Sequence, residues 1–422
     1  MQLRDLVVAL CVVASVPLCF RWPWFGGVVW GWLSSIYPYR LVIGRVAGVP
    51  FVWLVIAATL AGLARTAPRY RLPRSREMYL LLGFWAFCAL TTLTALYPAR
   101  AWPCFLEISR VLSLTLVVIA LCQERRKLIG LMWATPLSLA CYAVVGVVWV
   151  WQTGGHAGPL YGPRASDLQN NNDFAAALIA ALPFFVFLGE CAPRRWMTFA
   201  ALGLFCAAVF AILGTYSRAA VCGLIVVLLL LAMLRQWRAI AAAGATWVAF
   251  LLCTAPGKWV ARVDTIRTFQ QEHSAAMRLP EWYVAWRLGL DHPLLGAGFE
   301  AFTPESYLRY VGYADYHNAH NHFLQVFAEH GLPGLALYTA LIVCTLMTLR
   351  RIAARATAPD ETWLRAGALA VLVGLIGFIV DGQFHVLSYR TVFFDLLALS
   401  IMLDALTRAP AHVVAAAHDL PR

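Results

Sequence analysis

The sequence predicts an all-α, polytopic membrane protein of about twelve transmembrane helices with one long, partly helical loop. Three observations carry this expectation. The 422 residues are 61% hydrophobic and only 13% charged, where an ordinary soluble domain has roughly 25% charged residues. Mean hydropathy is +0.71, so lipid is the solvent for most of the chain. Apolar runs recur along the whole length, at 5–20, 41–64, 78–97, 104–122, 128–152, 173–190, 196–213, 219–234, 239–255, 323–349, 363–381 and 390–407. This composition excludes a soluble enzyme, a disordered chain, collagen and a coiled coil.

The first run follows Arg4 and has the charge and apolarity of a signal peptide; it is read as a retained membrane helix. Residues 21–40, with Trp22, Trp24, Trp30, Trp32, Tyr37 and Tyr39, are read as an interfacial aromatic segment and not as a further span. Short loops join the spans within 1–255, the long loop is 256–322, and 323–422 carries the last three helices and a tail. When the loops alternate in side, one side collects Arg65, Arg69, Arg71, Arg74 and Arg76, then Arg125, Arg126 and Lys127, then Arg194, Arg195, Arg235 and Arg238, then Arg350, Arg351 and Arg355. Basic short loops stay in the cytoplasm, which predicts two cytoplasmic termini. The opposite face then holds 152–172, 214–218, 256–322 and 381–390, together with every histidine except His412 and His418. Chemistry is expected on that face.

Net charge is +12, and of the 33 basic residues only Lys127 and Lys258 are lysine. Arg binds phosphate through a planar fork, so the bias suits anionic head groups, although retention at the cytoplasmic surface accounts for much of it. All 11 cysteines lie in or beside apolar runs with no CxxC pair, as small buried apolar residues do.

The richest polar segment is YHNAHNHFLQVFAEHGLPG, 316–334, where the long loop returns to a membrane helix. His317, His320 and His322 could ligate zinc, but the HExxH arrangement and a clear partner carboxylate are missing, so no metal is expected. An imidazole titrates near neutral pH and can accept a hydroxyl proton as a new bond forms, which makes a general base the favoured role. In GTYSRAA, 214–220, Arg218 stands between two apolar helices, a costly position unless it faces a cavity or an anion. Trp282 and Trp286 mark an amphipathic helix in the long loop that carries Arg278 and Arg287, and Gly296 and Gly298 read as turn residues because no strand precedes them. Arg164 precedes a run of Asn171, Asn172 and Asp173 that can cap the next helix. Glu107 and Arg110, three apart, pair on one helix face, while Asp381, His385 and Arg390 line the last outer loop without an assigned role.

His320-Asn321 followed after nine residues by Gly331 and then Gly334 resembles the signature of the O-antigen ligase family, shared more loosely with O-antigen polymerases and bacterial protein O-oligosaccharyltransferases. The resemblance implies that His320 is essential, with Asn321, His322 and His317 as supporting neighbours. It implies that Arg218, in a Ser-Arg element with Ser217, binds a lipid pyrophosphate. The stretch 277–302 resembles the family's Arg, Trp-bearing helix and Pro-Leu-Leu-Gly-x-Gly turn, which makes Arg278 a second pyrophosphate ligand and Arg287 its competitor; Arg164 is a third candidate. The activity implied is inverting, metal-independent and cofactor-free transfer of O-antigen from undecaprenyl pyrophosphate to a sugar hydroxyl of lipid A–core. It would take place at the periplasmic face of a bacterial inner membrane, among membrane lipids and without nucleic acid. An O-antigen polymerase is the nearest alternative, since Arg278, ten residues and Gly289 fit a polymerase loop pattern, but only one large outer loop is present. A protein O-oligosaccharyltransferase follows. A twelve-span transporter is the alternative of another class, and it lacks the paired broken helices of a midplane site.

Overall fold

The computed structural model describes residues 3–36, 51–66, 71–164, 166–254 and 278–408. Among these residues the regular elements are all helical. Ten helices come first: α1 Leu3–Arg21, α2 Pro23–Ile36, α3 Phe51–Thr66, α4 Arg76–Leu93, α5 Pro98–Leu121, α6 Arg125–Thr153, α7 Asn171–Glu190, α8 Arg195–Gly214, α9 Arg218–Met233 and α10 Trp237–Cys253. Five follow: α11 Arg278–Asp291, α12 Pro304–Val311, α13 His322–Arg355, α14 Thr362–Asp381 and α15 Thr391–Arg408.

Polar residues at the helix starts fix several of these boundaries. Ser75, Asn170, Ser217 and Asn321 accept hydrogen bonds from backbone N–H groups that the first turns of α4, α7, α9 and α13 leave unpaired. Six helical stretches are long and apolar enough to cross a membrane: Pro98–Leu121, Arg125–Thr153, Asn171–Glu190, Arg195–Gly214, His322–Arg355 and Pro359–Asp381. Leu10–Arg21, Val52–Thr66, Arg218–Met233 and Trp237–Cys253 are apolar but shorter than the roughly 20 residues a perpendicular crossing takes. The chain is therefore a multi-pass membrane protein, with fewer full-length spans among the described residues than its apolar runs predict. Part of the expected 41–64 span lies outside those residues.

The aromatic stretch read as interfacial contains a 14-residue helix, α2, that packs on α3 and α6. Its small residues explain the approach: a Cβ at Gly26 would overlap Thr59, and one at Gly31 would touch Thr135. The centre of the bundle is α7, whose side chains from Asp173 to Gly189 are all buried. Helices α8, α14 and α9 surround it. Close contact with α14 is allowed by Gly374, where a Cβ would come within 2.5 Å of the Ala180 carbonyl oxygen.

Residues 278–321 build a small core of their own, with Val284, Ala285, Leu288, Phe302, Tyr307 and Ala319 packed together against Ala328 of α13. A tight turn straps this unit to the bundle. Ala297 N donates to Ala328 O and Gly298 N to Glu329 O, both at 2.9 Å, and Leu332 N donates to Pro293 O at 2.8 Å. Gly296 and Gly298 have φ of +65° and +82°, which agrees with their reading as turn residues, and α13 breaks at Gly331, where φ is +64°. The buried Glu329 carboxylate closes the joint by accepting from Tyr389 Oη at 2.7 Å, Gln325 Nε2 at 2.6 Å and Glu300 N at 3.1 Å.

Because a Cβ at Gly296 would overlap the backbone of Glu329 and His330, Gly296→Ala is expected to destabilise the protein by more than about 2 kcal/mol, from left-handed strain and overpacking together. Thermal unfolding in detergent checks this; an unchanged transition would show that the turn is slack.

Candidate active site

One end of the bundle gathers the starts of α7, α9, α13 and α15, the end of α14 and the first turn of α11. The chain is pinned there at the start of α13. Asn321 Oδ1 accepts from Phe323 N and Leu324 N at 3.0 Å each, its Nδ2 donates to Gln383 O at 3.2 Å, and His322 N donates to Gly382 O at 2.9 Å. The residue ahead of this cap, His320, takes a left-handed backbone with φ of +43°. Such a conformation is uncommon outside glycine and costs energy, which the pinned neighbours offset.

The turn brings the His320 ring to α11. Nδ1 lies 2.9 Å from Glu281 Oε2, and the Glu281 side chain is 3% exposed against 33% for His320. A buried carboxylate accepts, so Nδ1 carries the hydrogen and Nε2 keeps its lone pair for a substrate. His317 shares the same carboxylate, with Nδ1 3.9 Å from Glu281 Oε1, and its carbonyl accepts from Tyr307 Oη at 2.8 Å. Glu329, the carboxylate within 316–334, is engaged by Tyr389, Gln325 and Glu300, and the partner of His320 is supplied 39 residues upstream.

A second histidine–carboxylate pair faces the first. His385 Nε2 lies 2.9 Å from Asp173 Oδ1, Arg390 donates to Asp173 Oδ2 at 3.0 Å, and the His385 and His320 ring centroids are 6.1 Å apart. Asp173 is thus engaged by His385 and Arg390 and is not the cap of α7. The cap is Asn170, which accepts from Asn172 N, while Asn171 donates to Thr215 O at 2.9 Å and so ties α7 to the turn ahead of Arg218.

Arg218 is the first residue of α9 and Ser217 its cap, accepting from Ala220 N at 3.2 Å. The Arg278 guanidinium sits over the Phe384 ring at 5.5 Å. Burial, and after it the positive charge of Arg218, hold Arg278 below the ordinary guanidinium range, against the opposing pull of Glu281 and Asp381. Two guanidinium groups close enough to interact, beside the positive ends of helices α9 and α13, make an environment that favours an anion. Asp381 is fully buried, and neither carboxylate oxygen has a hydrogen-bond partner among the described residues.

Not every sequence candidate joins this cluster. His322 is fully buried behind it, with its ring 3.3 Å from Tyr338 Oη and 3.2 Å from Gln383 Nε2, a framework position. Arg164 is exposed in the connection ahead of α7, which Asp167 ties to Thr391 at 3.4 Å; among the described residues no contact joins Arg164 to the His320–Glu281 pair. Arg287 points elsewhere, 3.8 Å from Asp291. Glu107 and Arg110 pair with each other at 3.1 Å, as their spacing predicts.

Sequence reasoning missed Glu281 and Asp173 as partners and left His385, Arg390 and Asp381 unassigned. The one local signal was that Glu281 follows Arg278 by three residues on an amphipathic helix, so both share a face.

Residues 202–339 match the family model described as O-antigen ligase, a range that contains Ser217, Arg218, Arg278, Glu281, His317, His320, Asn321 and His322. Residues 3–192 match a family of unknown function, DUF5935. No curated protein matches the chain. The first match covers about a third of the chain, and over that stretch the protein is similar to O-antigen ligases.

Proposed function

We propose that this chain, whose residues 202–339 are similar to O-antigen ligases, belongs to that family and moves an O-antigen glycan from undecaprenyl pyrophosphate to a sugar hydroxyl of lipid A–core. The observation that carries the reading is the His320–Glu281 pair, 2.9 Å apart, at the same end of the bundle as Arg218 and Arg278. The acceptor hydroxyl attacks the anomeric carbon of the donor sugar while His320 Nε2 takes its proton. The bond from that carbon to the pyrophosphate oxygen breaks, and the electron pair leaves with the pyrophosphate. Arg218 and Arg278 stabilise the charge that develops there, and attack opposite the leaving group inverts the configuration. Arg164 is kept as a third phosphate ligand. Twelve crossings, a periplasmic 256–322 loop, an inner-membrane location and cytoplasmic termini belong to the same proposal.

A guanidinium fork makes two hydrogen bonds to a diphosphate, where an ammonium offers a point charge. Arg218→Lys is therefore expected to weaken donor binding and lower turnover by about 10–100-fold, one lost charge-assisted bond being worth about 1.5–3 kcal/mol. Arg278→Lys should be milder because it lies at the edge of the loop. Wild-type binding in Arg218→Lys at matched expression would show that this Arg only anchors a helix end.

Since the proposed charge compensation comes from Arg, transfer is expected to continue at an undiminished rate in EDTA. Inhibition that magnesium or manganese reverses would contradict it. Ligase and polymerase readings separate when purified protein is offered lipid A–core and a second lipid-linked glycan together. Transfer to lipid A–core supports the ligase; elongation of the lipid-linked glycan supports the polymerase.

A further inference from the structure

Resting on the reading of His320 as the base, we propose that His385 is a second acceptor-binding residue, whose Nδ1 takes a hydrogen bond from the hydroxyl adjacent to the attacking one. The enzyme would thereby select an acceptor sugar with two neighbouring free hydroxyls.

His385 Nε2 is committed to Asp173 Oδ1 at 2.9 Å, and the carboxylate is held in place by Arg390 on its other oxygen at 3.0 Å. Asp173 is buried and accepts, so the hydrogen sits on Nε2 and the lone pair on Nδ1. His385 is 8% exposed, and its Nδ1 is buried with no hydrogen-bond partner among the described residues. A buried acceptor left unpaired costs free energy, and where one persists beside a reaction centre a ligand is the natural completion.

The neighbourhood says which ligand. The His385 and His320 ring centroids are 6.1 Å apart with the planes tilted by 39°, and each imidazole is held by its own carboxylate, so the two rings are close enough to meet neighbouring groups of one sugar. Both nitrogens left over are acceptors. A single hydroxyl has one hydrogen and cannot serve both. Two adjacent hydroxyls on a sugar ring can, each donating over about 2.8 Å to its own nitrogen. The hydroxyl bound to His320 loses its proton and attacks; the one bound to His385 keeps its proton and fixes the sugar's rotation. A site built to bind a hydroxyl discriminates strongly against the analogue that lacks it.

The test uses purified full-length protein, an undecaprenyl-pyrophosphate-linked glycan, and a series of lipid A–core acceptors in which each hydroxyl of the terminal sugar is replaced in turn by hydrogen. One deletion should abolish transfer, since it removes the attacked hydroxyl. Deleting its neighbour should lower wild-type kcat/KM by about 10–100-fold. Two variants assign that loss. Asn carries its amide oxygen at about the reach of Nδ1, whereas Gln places its amide at the reach of Nε2 and keeps only the Asp173 contact. His385→Asn should retain most of the affinity for the intact acceptor. His385→Gln should raise acceptor KM by about 10–100-fold and be indifferent to the neighbouring deletion, with donor binding unchanged.

The proposal is overturned if His385→Gln behaves as wild type while His385→Asn fails, because His385 then only anchors Asp173. It is equally overturned if no neighbouring deletion affects the wild type, a result that stands even if a variant fails to fold. His320→Ala run in parallel distinguishes the two levels: full transfer by that variant removes the base reading itself, whatever His385 does.

Discussion

Replacing His320 by Ala is expected to lower transfer by about 10²–10⁴-fold, the usual worth of general-base assistance, with donor binding and folding preserved. Folding should survive because the ring is one-third exposed and leaves no sealed cavity, while the backbone turn is held by the neighbouring Asn321 cap. His322→Ala should fail differently. That ring is fully buried between Tyr338 and Gln383, so its loss is expected to reduce the yield of folded protein, and the folded remainder should keep its turnover per molecule. The measurement is kcat per folded molecule for both variants. Near-normal turnover in His320→Ala beside a folded but inactive His322→Ala would exchange their roles.

Glu281→Gln is expected to cost almost as much as loss of the base, about 10²–10⁴-fold in kcat. A Gln presents an amide N–H where the carboxylate accepted, and it can push the His320 hydrogen to Nε2, the nitrogen that must be free to receive the hydroxyl proton. The serine-protease triad shows the same logic when its aspartate becomes asparagine. His317, 3.9 Å from the other Glu281 oxygen, is an imidazole and offers no substitute carboxylate. Turnover at saturating donor and acceptor checks this, and a variant with wild-type kcat would show that Glu281 only holds α11 against the loop.

What the sequence made legible was the local part of the site. His320 stood out by its spacing to Gly331 and Gly334, and the structure shows why that spacing matters: Gly331 is the break in α13 against which the Pro293–Gly298 turn is strapped. Arg218 stood out because an Arg between apolar helices is costly. The non-local part was invisible. His385 and Asp173 are 212 residues apart in the chain, and Glu281 reaches His320 only because α11 folds into a small core with α12 and the start of α13. No periodicity or motif encodes such pairings. The helix count shows the same limit, since an apolar run of 16 or 17 residues, as in α9 and α10, reads as a span although its length alone does not carry it across. For α2, tryptophan content signalled a membrane interface, but glycines at 26 and 31 set its packing on α3 and α6.

In the proposed reaction a lipid-pyrophosphate donor is consumed by direct attack of a sugar hydroxyl deprotonated at His320. Its most direct test is the anomeric configuration and stoichiometry of the product formed by purified protein from undecaprenyl-pyrophosphate-linked glycan and lipid A–core, with no nucleotide sugar present. The account predicts one undecaprenyl pyrophosphate released per glycan transferred and an inverted linkage, both lost in His320→Ala. Retention of configuration, or an equal yield from His320→Ala, would contradict it.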